Sequence, residues 1–267
     1  MKVKEAIERI IAACRIPPIP NTCDRLICGD PEREVTGIVT TFMATPEVIR
    51  GAIAAGANLI ITHEPTFYTH LDPTGWLGED EVLRRKQGLI DSHQINIWRF
   101  HDHAHRTTPD LIFSGLNREL GWAEYWMPEV NRHFYQIPAT SVRELALFLK
   151  EKLQVKSARL VGNLDARVER VGFLAGGGSL GLGSETMPME FMKAENLDVI
   201  ICGELLEWTL CAYARDAAQL GLNKALIVLG HDRTEEAGMK YLPDWLRPLL
   251  PGVPVSFIEA GEPFSYL

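Results

Sequence analysis

Histidines and carboxylates in this chain follow several short apolar runs that have the pattern of β-strands. They are His63 and Glu64 after residues 59–62, His101, Asp102, His103 and His105 after 95–100, Glu204 after 199–202, and His231 with Glu235 after 225–229. In open α/β sheets, ligands bind at the carboxyl ends of the strands, where the chain leaves the sheet and exposes a crevice. The positions together therefore predict one ligand-binding region.

The segment 101–105 carries the strongest of these signals, because three of its five residues are histidines. Such a cluster at a strand end is more typical of metal ligands than of a solvated loop. Imidazole and carboxylate donors together suit Zn, Mn, Fe, Co or Ni. His231 and Glu235 can share one helix face at a spacing of four residues. By itself that pair is better explained by a carboxylate that stabilises a helix N-terminus.

Other polar segments give weaker signals. The glycine-rich segment 176–181 can present backbone N–H groups to an anion, but it lacks the Lys-Ser/Thr of a P-loop, and a flexible turn is the alternative. Glu204, or Glu207 three residues later, is a candidate general base or a support for a metal ligand, against the simpler role of a helix N-terminal carboxylate. The remaining histidines have no companion at ligand spacing and are interpreted as structural or surface residues: His70, His93 and His133.

Short apolar runs alternate with amphipathic segments, which predicts an α/β fold with largely parallel sheets. Strands are predicted at 35–41, 59–62, 95–100, 133–137, 168–174, 199–202, 225–229 and 253–258. Helices are predicted near 3–11, 46–55, 80–92, 140–153, 187–194, 205–219 and 234–246. Residues 49–63 resemble 214–231, since each is an alanine-rich helix, a glycine, an apolar strand and a histidine. This similarity predicts two related lobes, although any α/β protein can contain such an echo.

Composition excludes several functional classes. The chain has 267 residues, of which 46% are hydrophobic, so it can form one large domain or two smaller ones. A net charge of −8 offers no basic face for nucleic acid. No apolar run approaches the roughly 20 residues of a membrane span, and no secretory signal opens the chain, so we expect a cytoplasmic protein. The five cysteines show no Cys-x-x-Cys spacing and are expected to be reduced.

Four motifs, taken in order, resemble the Ngg-interacting-factor-three-like family, often labelled GTP cyclohydrolase I type 2. They are Leu59-Ile-Ile-Thr-His-Glu-Pro65, His101 with its neighbours, Ile201-Cys-Gly-Glu204 and Gly230-His-Asp-Arg-Thr-Glu235. The resemblance implies two similar α/β lobes with mixed, largely parallel sheets that face a central cleft with two divalent metal ions. We expect lobes at 1–130 and 131–267, with the C-terminal segment as a candidate to complete the first. Family members also form ring-shaped hexamers, so the resemblance implies a homohexamer.

The resemblance also implies which residues bind the ions. His63, His101, His231 and Glu235 match the family pattern, whereas Glu64 replaces a second histidine and His105 replaces an aspartate. The two departures cancel, because four histidines and two carboxylates remain in either case. Our hypothesis is that Glu64 takes over part of the work of the missing carboxylate while His105 supplies the displaced imidazole. Asp102 or His103 is the alternative if the loop aligns differently.

A site of this kind implies hydrolysis. Two divalent ions can lower the pKa of a shared water to near neutrality, which gives a metal-bridged hydroxide. The family label implies a nucleotide or another small heterocyclic or phosphorylated substrate, with Glu204 and Glu235 as candidate catalytic residues. One rival is an amidohydrolase barrel, but its His-x-His motif belongs near the first of eight strands. The other rival is a non-catalytic metal-binding scaffold or regulatory protein.

Overall fold

The computed structural model describes residues 1–267 and contains two compact units. The first unit consists of Met1–Gly115 and Glu236–Gly261, and the second of Leu116–Glu235 and Glu262–Leu267. Two of the three boundaries lie within helices, namely α5 (Leu111–Leu120) and α9 (His231–Leu246), and the third lies between Gly261 and Glu262. These bounds follow from the packing of the chain. The expected division into lobes at 1–130 and 131–267 stays a prediction.

The first unit is built on a five-stranded sheet with the order β1-β4-β3-β2-β10. Its strands are β1 (Leu26–Cys28), β2 (Ile38–Thr41), β3 (Leu59–Thr62), β4 (Asn96–Arg99) and β10 (Val255–Phe257). Strands β10, β2, β3 and β4 are parallel, and β1 pairs with β4 in the antiparallel direction. All residues of β2, β3 and β4 are buried, as expected for central parallel strands.

Helices and two apolar clusters complete the first unit. The helices are α1 (Val3–Cys14), α2 (Pro46–Ala54), α3 (Glu81–Ser92) and α4 (Asp102–Arg106). One cluster includes Ile10 of α1, Leu59 of β3 and Leu242 of α9, and the other includes Ile49 of α2 and Ile60 of β3. Leu59 and Ile60 enter different clusters because successive side chains of a strand point to opposite faces of the sheet.

The second unit contains a five-stranded sheet with the order β5-β7-β8-β9-β6. Its strands are β5 (Phe134–Ser141), β6 (Arg159–Val161), β7 (Arg167–Leu174), β8 (Val199–Cys202) and β9 (Ala225–Val228), and its helices are α6 (Val142–Lys152), α7 (Met187–Ala194) and α8 (Ala212–Gln219). Strands β7, β8 and β9 are parallel, and the edge strands β5 and β6 are antiparallel to their neighbours.

The predicted α/β class with mixed, largely parallel sheets is confirmed by these two sheets. The two similar segments also fold alike, as α2 and β3 before His63, and as α8 and β9 before His231. The short edge strands β1 and β6 and the helices α4 and α5 were not predicted. Helix α9 begins at His231 and not at residue 234, and residues 207–211 form an irregular turn before α8 in which the backbone of Thr209 is not helical. No helix is both long and apolar enough to cross a membrane.

One cation of the first unit is buried away from the strand ends. Lys86 of α3 is 5% exposed, and its Nζ donates a hydrogen bond to the carbonyl oxygen of Thr66 at 2.7 Å. Burial lowers the pKa of Lys86 to about 8. The folded state therefore disfavours the ammonium form relative to the unfolded chain.

We predict that this burial makes stability depend on pH between about 8 and 10.5. Over that range the unfolded chain binds more protons at Lys86 than the folded chain, so the free energy of unfolding rises with pH. The contribution is at most about 3 kcal/mol. Urea unfolding of the wild type and of Lys86→Met across this pH range measures the contribution of Lys86. The buried thiols affect the stability of both proteins alike, so the difference between the two proteins reports Lys86. A stability difference between the two proteins that does not change with pH contradicts the prediction.

Candidate metal centre

Parallel pairing aligns the ends of the strands that carry the candidate ligands of the first unit. Thr62, the last residue of β3, lies opposite Arg99, the last residue of β4. The residues that follow, His63 on one strand and His101 on the other, therefore leave the sheet at the same edge. Helix α4 begins directly after His101, and His105 lies in its last turn.

Three histidines form a compact triangle at this edge. The ring centroids of His63 and His101 are 4.5 Å apart, and the ring of His105 lies 5.0 Å from His63 and 4.9 Å from His101. Each ring offers a ligand nitrogen, and the three nitrogens lie within 4.8 Å of one another. His63 is completely buried, whereas about a quarter of the His101 side chain and a fifth of the His105 side chain are exposed. The triangle is thus open on one side.

In all three imidazoles a hydrogen bond to an oxygen atom holds the same ring nitrogen, Nδ1. Nδ1 of His63 lies 3.4 Å from the carbonyl oxygen of Phe100, Nδ1 of His101 lies 3.0 Å from Asp102, and Nδ1 of His105 lies 3.0 Å from Asp110. Carbonyl and carboxylate oxygens accept hydrogen bonds, so Nδ1 carries the proton in each ring. In the neutral form of such a ring the lone pair is on Nε2, which leaves that nitrogen to bind a metal ion. Histidines that bind metals in proteins are commonly supported in this way.

Glu64 adds a carboxylate to the triangle. Its side chain is 13% exposed, its Oε1 lies 3.7 Å from Nε2 of His101, and its Oε2 lies 3.2 Å from Nη2 of Arg99. We call His63, Glu64, His101 and His105 the first-unit donors. Three imidazoles and one carboxylate are a donor set that fits a divalent transition-metal ion.

Asp24 shapes the turn that presents these donors. Its carboxylate accepts hydrogen bonds from the backbone N–H groups of His101, Asp102 and His103, and from Nδ1 of His103 at 2.6 Å. His103 is consequently buried against Asp24 and not in the triangle.

Asp102 supports His101 and interacts with two residues near the N-terminus. It accepts hydrogen bonds from Thr22 and from the backbone of Cys23. The His101 hydrogen bond, followed by these two, holds the pKa of Asp102 well below its usual range. Cys23 offers a further ligand atom near His101 and Asp102, but burial raises the pKa of its thiol to about 12. The thiol of Cys23 donates a hydrogen bond to Oδ1 of Asp102 at 3.5 Å.

The second unit presents its own donors where β8 and β9 end. Cys202 of β8 lies opposite Val228 of β9, so Glu204 and His231 follow aligned strand ends. Nδ1 of His231 lies 3.0 Å from Glu204, and Nε2 of His231 lies 3.0 Å from Glu235. The spacing of four residues works here because α9 begins at His231. We call His231 and Glu235 the second-unit donors.

The glycine-rich segment makes room for Glu235. Gly176 has a φ of +55°, and a Cβ atom at this position would overlap the Glu235 carboxylate. The backbone N–H of Gly176 donates to Oγ1 of Thr234 at 2.9 Å. Close packing against α9 therefore explains this glycine without an anion.

Sequence reasoning missed the residues that orient the histidines. Asp110 follows Pro109 and precedes an apolar run, which is a helix-start signal that could have been recognised. Asp24 has no such signal, because its contacts lie 77 to 79 residues away in the chain. Arg99 gave no signal either, since a charged residue is not expected at 1% exposure in a strand.

Fold and site together define a class of α/β protein with two sheet-based units, in which histidines and carboxylates lie at the carboxyl ends of parallel strands. Residues 1–263 match the model of a family described as Duf34/NIF3 (NGG1p interacting factor 3). The chain belongs to this family.

Relatives and solved structures agree with the family match. The chain is 26% identical over 258 residues to a protein of Clostridium perfringens named GTP cyclohydrolase 1 type 2 homolog, which covers 91% of this chain and 90% of the relative. A protein of the same name from Clostridium acetobutylicum is 26% identical over 79% of this chain and 76% of its own length. A Bacillus cereus protein related to NIF3 superposes with a TM-score of 0.77 at 15% identity, covering 100% of this chain and 99% of the other. A hypothetical protein of Staphylococcus aureus gives 0.73 at 20% identity with the same coverage. At these identities the structures show the shared fold.

We predict that Asp110 controls metal affinity through His105. Asp110→Asn keeps an oxygen for the backbone N–H groups of Ile112 and Phe113, but its amide cannot accept from Nδ1 of His105. The Zn²⁺ affinity, measured by competition with a chromophoric chelator, should fall about 10- to 100-fold.

Asp80→Asn is the matched control, because Asp80 caps α3 in the same way and has no histidine partner. The control should retain wild-type affinity. Equal affinities for the two variants would show that the Asp110 hydrogen bond does not orient a ligand.

Proposed function

We propose that this protein is a divalent-metal-dependent hydrolase whose first-unit and second-unit donors bind two metal ions. The observation that carries the proposal is the shared orientation of the three first-unit imidazoles, each with Nδ1 held by an oxygen acceptor. Nδ1 of His231 is likewise held by Glu204, and its Nε2 faces the second carboxylate, Glu235. The donor set suits Zn, Fe, Mn, Co or Ni. When bound, such ions polarise a substrate oxygen or nitrogen and lower the pKa of water to near neutrality.

The residues around the donors then have distinct tasks. Glu204 fixes the orientation of His231, and because 49% of its side chain is exposed it can also exchange a proton with a substrate. Glu235, which is 4% exposed, is held as a ligand by its position on α9 and by the space that Gly176 leaves. Glu204 is therefore our candidate general base, and Glu235 our candidate ligand that is essential for catalysis.

The proposed substrate is a nucleotide or another small heterocyclic or phosphorylated compound. The names of the clostridial relatives support this class. Arg106 is an exposed cation one residue after His105, whereas Arg233 lies close to Asp232, with 3.5 Å between Nε and Oδ2. One exposed arginine is a modest positive charge for a triphosphate, so the proposal extends to substrates with fewer phosphates.

Location and assembly complete the proposal. Five free cysteines, four of which have a pKa that burial raises to about 12, fit a reducing compartment, and we place the protein in the cytoplasm. The family resemblance implies a ring-shaped homohexamer, and we include this assembly in the proposal. The particle mass in solution by light scattering tests the hexamer, and a monomeric mass contradicts it.

We predict that Glu64 and His105 together replace the second histidine and the aspartate that the family pattern has at these positions. The wild type should bind two ions per chain after loading with Mn²⁺ or Zn²⁺, and Glu64→Ala and His105→Ala should each bind fewer. Elemental analysis of desalted protein gives the ratio. His93→Ala is the control, because this histidine is exposed at the end of α3 and hydrogen-bonds only local groups. Unchanged ratios in both site variants would contradict the proposed compensation.

We predict that Glu204, and not Glu207, assists the reaction. The side chain of Glu207 is 80% exposed and lies 3.9 Å from Arg159, so it has no contact with a donor. Screening of the metal-loaded protein against nucleotides and small phosphoesters identifies a substrate. With that substrate, Glu204→Gln should lower kcat about 100-fold or more, and Glu207→Gln should leave it nearly unchanged.

The same screen separates catalysis from the alternative scaffold role. Turnover that Glu235→Ala abolishes supports the hydrolase. Tight metal binding without turnover of any compound in the screen would favour a non-catalytic metal-binding protein.

A further inference from the structure

Arg99 is a buried cation at the base of the first-unit donors. It is the last residue of β4, and 1% of its surface is exposed. An unpaired charge in this position would be strongly destabilising. Its Nε donates to the carbonyl oxygen of His63 at 3.0 Å, Nη1 donates to the carbonyl oxygen of His70, and Nη2 donates to Glu64 at 3.2 Å. All three nitrogens of the planar guanidinium therefore have acceptors, which fixes the side chain.

The fixed guanidinium in turn fixes Glu64. Its Oε2 is bound by Arg99, and its Oε1 lies 3.7 Å from Nε2 of His101. That separation is too long for a hydrogen bond. It is close to the distance of about 3.4 Å that separates two donors on one tetrahedral zinc ion with bonds of about 2.1 Å. Oε1 is therefore near enough to Nε2 of His101 to join the three imidazoles as a fourth donor from the first unit.

We propose that the first-unit donors bind one divalent ion without the second-unit donors, and that Arg99 is a positioning residue that holds Glu64 as the fourth ligand. This inference rests on the proposed function in taking these residues as metal ligands. It adds that the two ions differ in which units supply their ligands. The first ion has a complete set of protein ligands inside one unit, and the second depends on His231 and Glu235.

Two effects of Arg99 on the ion oppose each other. Its positive charge repels a cation, and its hydrogen bond keeps the Glu64 carboxylate in place. The charge is already compensated by Oε2 of Glu64 and by two backbone carbonyls. Loss of an ordered partner behind a ligand commonly weakens metal binding 10- to 100-fold. We therefore expect removal of Arg99 to weaken binding.

Titration of the full chain with Co²⁺ after chelator treatment tests both parts, because visible absorption reports how many ligands the ion has independently of activity. The double variant His231→Ala/Glu235→Ala should keep one Co²⁺ per chain, with a dissociation constant within about threefold of the tighter wild-type site. Glu64→Gln keeps the side-chain shape and the Arg99 hydrogen bond, and should weaken that site about 10- to 100-fold. Arg99→Gln should weaken it by about tenfold or more.

A double-mutant cycle distinguishes positioning from a general structural role. If Arg99 acts through Glu64, then Arg99→Gln should have little further effect in the Glu64→Gln background. Arg99→Lys is the second variant, for the case that Arg99→Gln does not fold. It keeps the charge but has a single nitrogen, which cannot reach the three acceptors that the planar guanidinium spans, so it should also weaken binding. Circular dichroism establishes folding for each variant.

Three results would overturn the inference: loss of both ions in His231→Ala/Glu235→Ala, an equal effect of Arg99→Gln in both backgrounds, or tighter binding without Arg99. If the double variant loses both ions but the wild type still hydrolyses a substrate, this inference is wrong and the proposed function is not contradicted. Conversely, one tightly bound ion in the double variant and no hydrolysis by the wild type would contradict the proposed function alone.

Discussion

Parallel pairing of β3 with β4 is the constraint on which the candidate site of the first unit depends. Because Thr62 and Arg99 lie opposite each other, the chain leaves the sheet at the same level on both strands. His63 and His101 are then neighbours although 38 positions separate them in the sequence. A shift of the register by one residue would move every side chain of a strand to the opposite face. Different apolar clusters cover the two faces of β3, so such a shift would exchange Leu59 and Ile60 between them and would also move His63 out of line with His101.

A layer of oxygen acceptors behind the histidines converts their proximity into a defined donor set. Asp102 and Asp110 and the carbonyl of Phe100 each occupy one Nδ1, and Asp24 holds the turn that joins β4 to α4. These groups come from elements that are distant in sequence, so the donors can keep their orientation only in the folded chain. The acidic balance of the protein is consequently in part a property of the site, since several of its carboxylates support or form ligand groups.

Much of the fold and of the ligand set could be predicted from the sequence. Buried parallel strands such as β3 and β8 are four-residue apolar runs, and these are visible without a structure. Edge strands were missed because β1 and β6 are three residues long and only partly buried. The start of α9 was placed too late, since Gly230 and the polar residues after it resemble a loop. Arg99 and Asp24 could not be predicted at all, because their roles arise from contacts between distant segments.

An anomalous difference map of Zn²⁺-loaded crystals, recorded at the zinc absorption edge, tests the central claim most directly. The account predicts a peak about 2.0–2.3 Å from Nε2 of His63, His101 and His105 and from a carboxylate oxygen of Glu64. A map with no peak at this triangle, or with an ion bound through Nδ1 of these histidines, would contradict it.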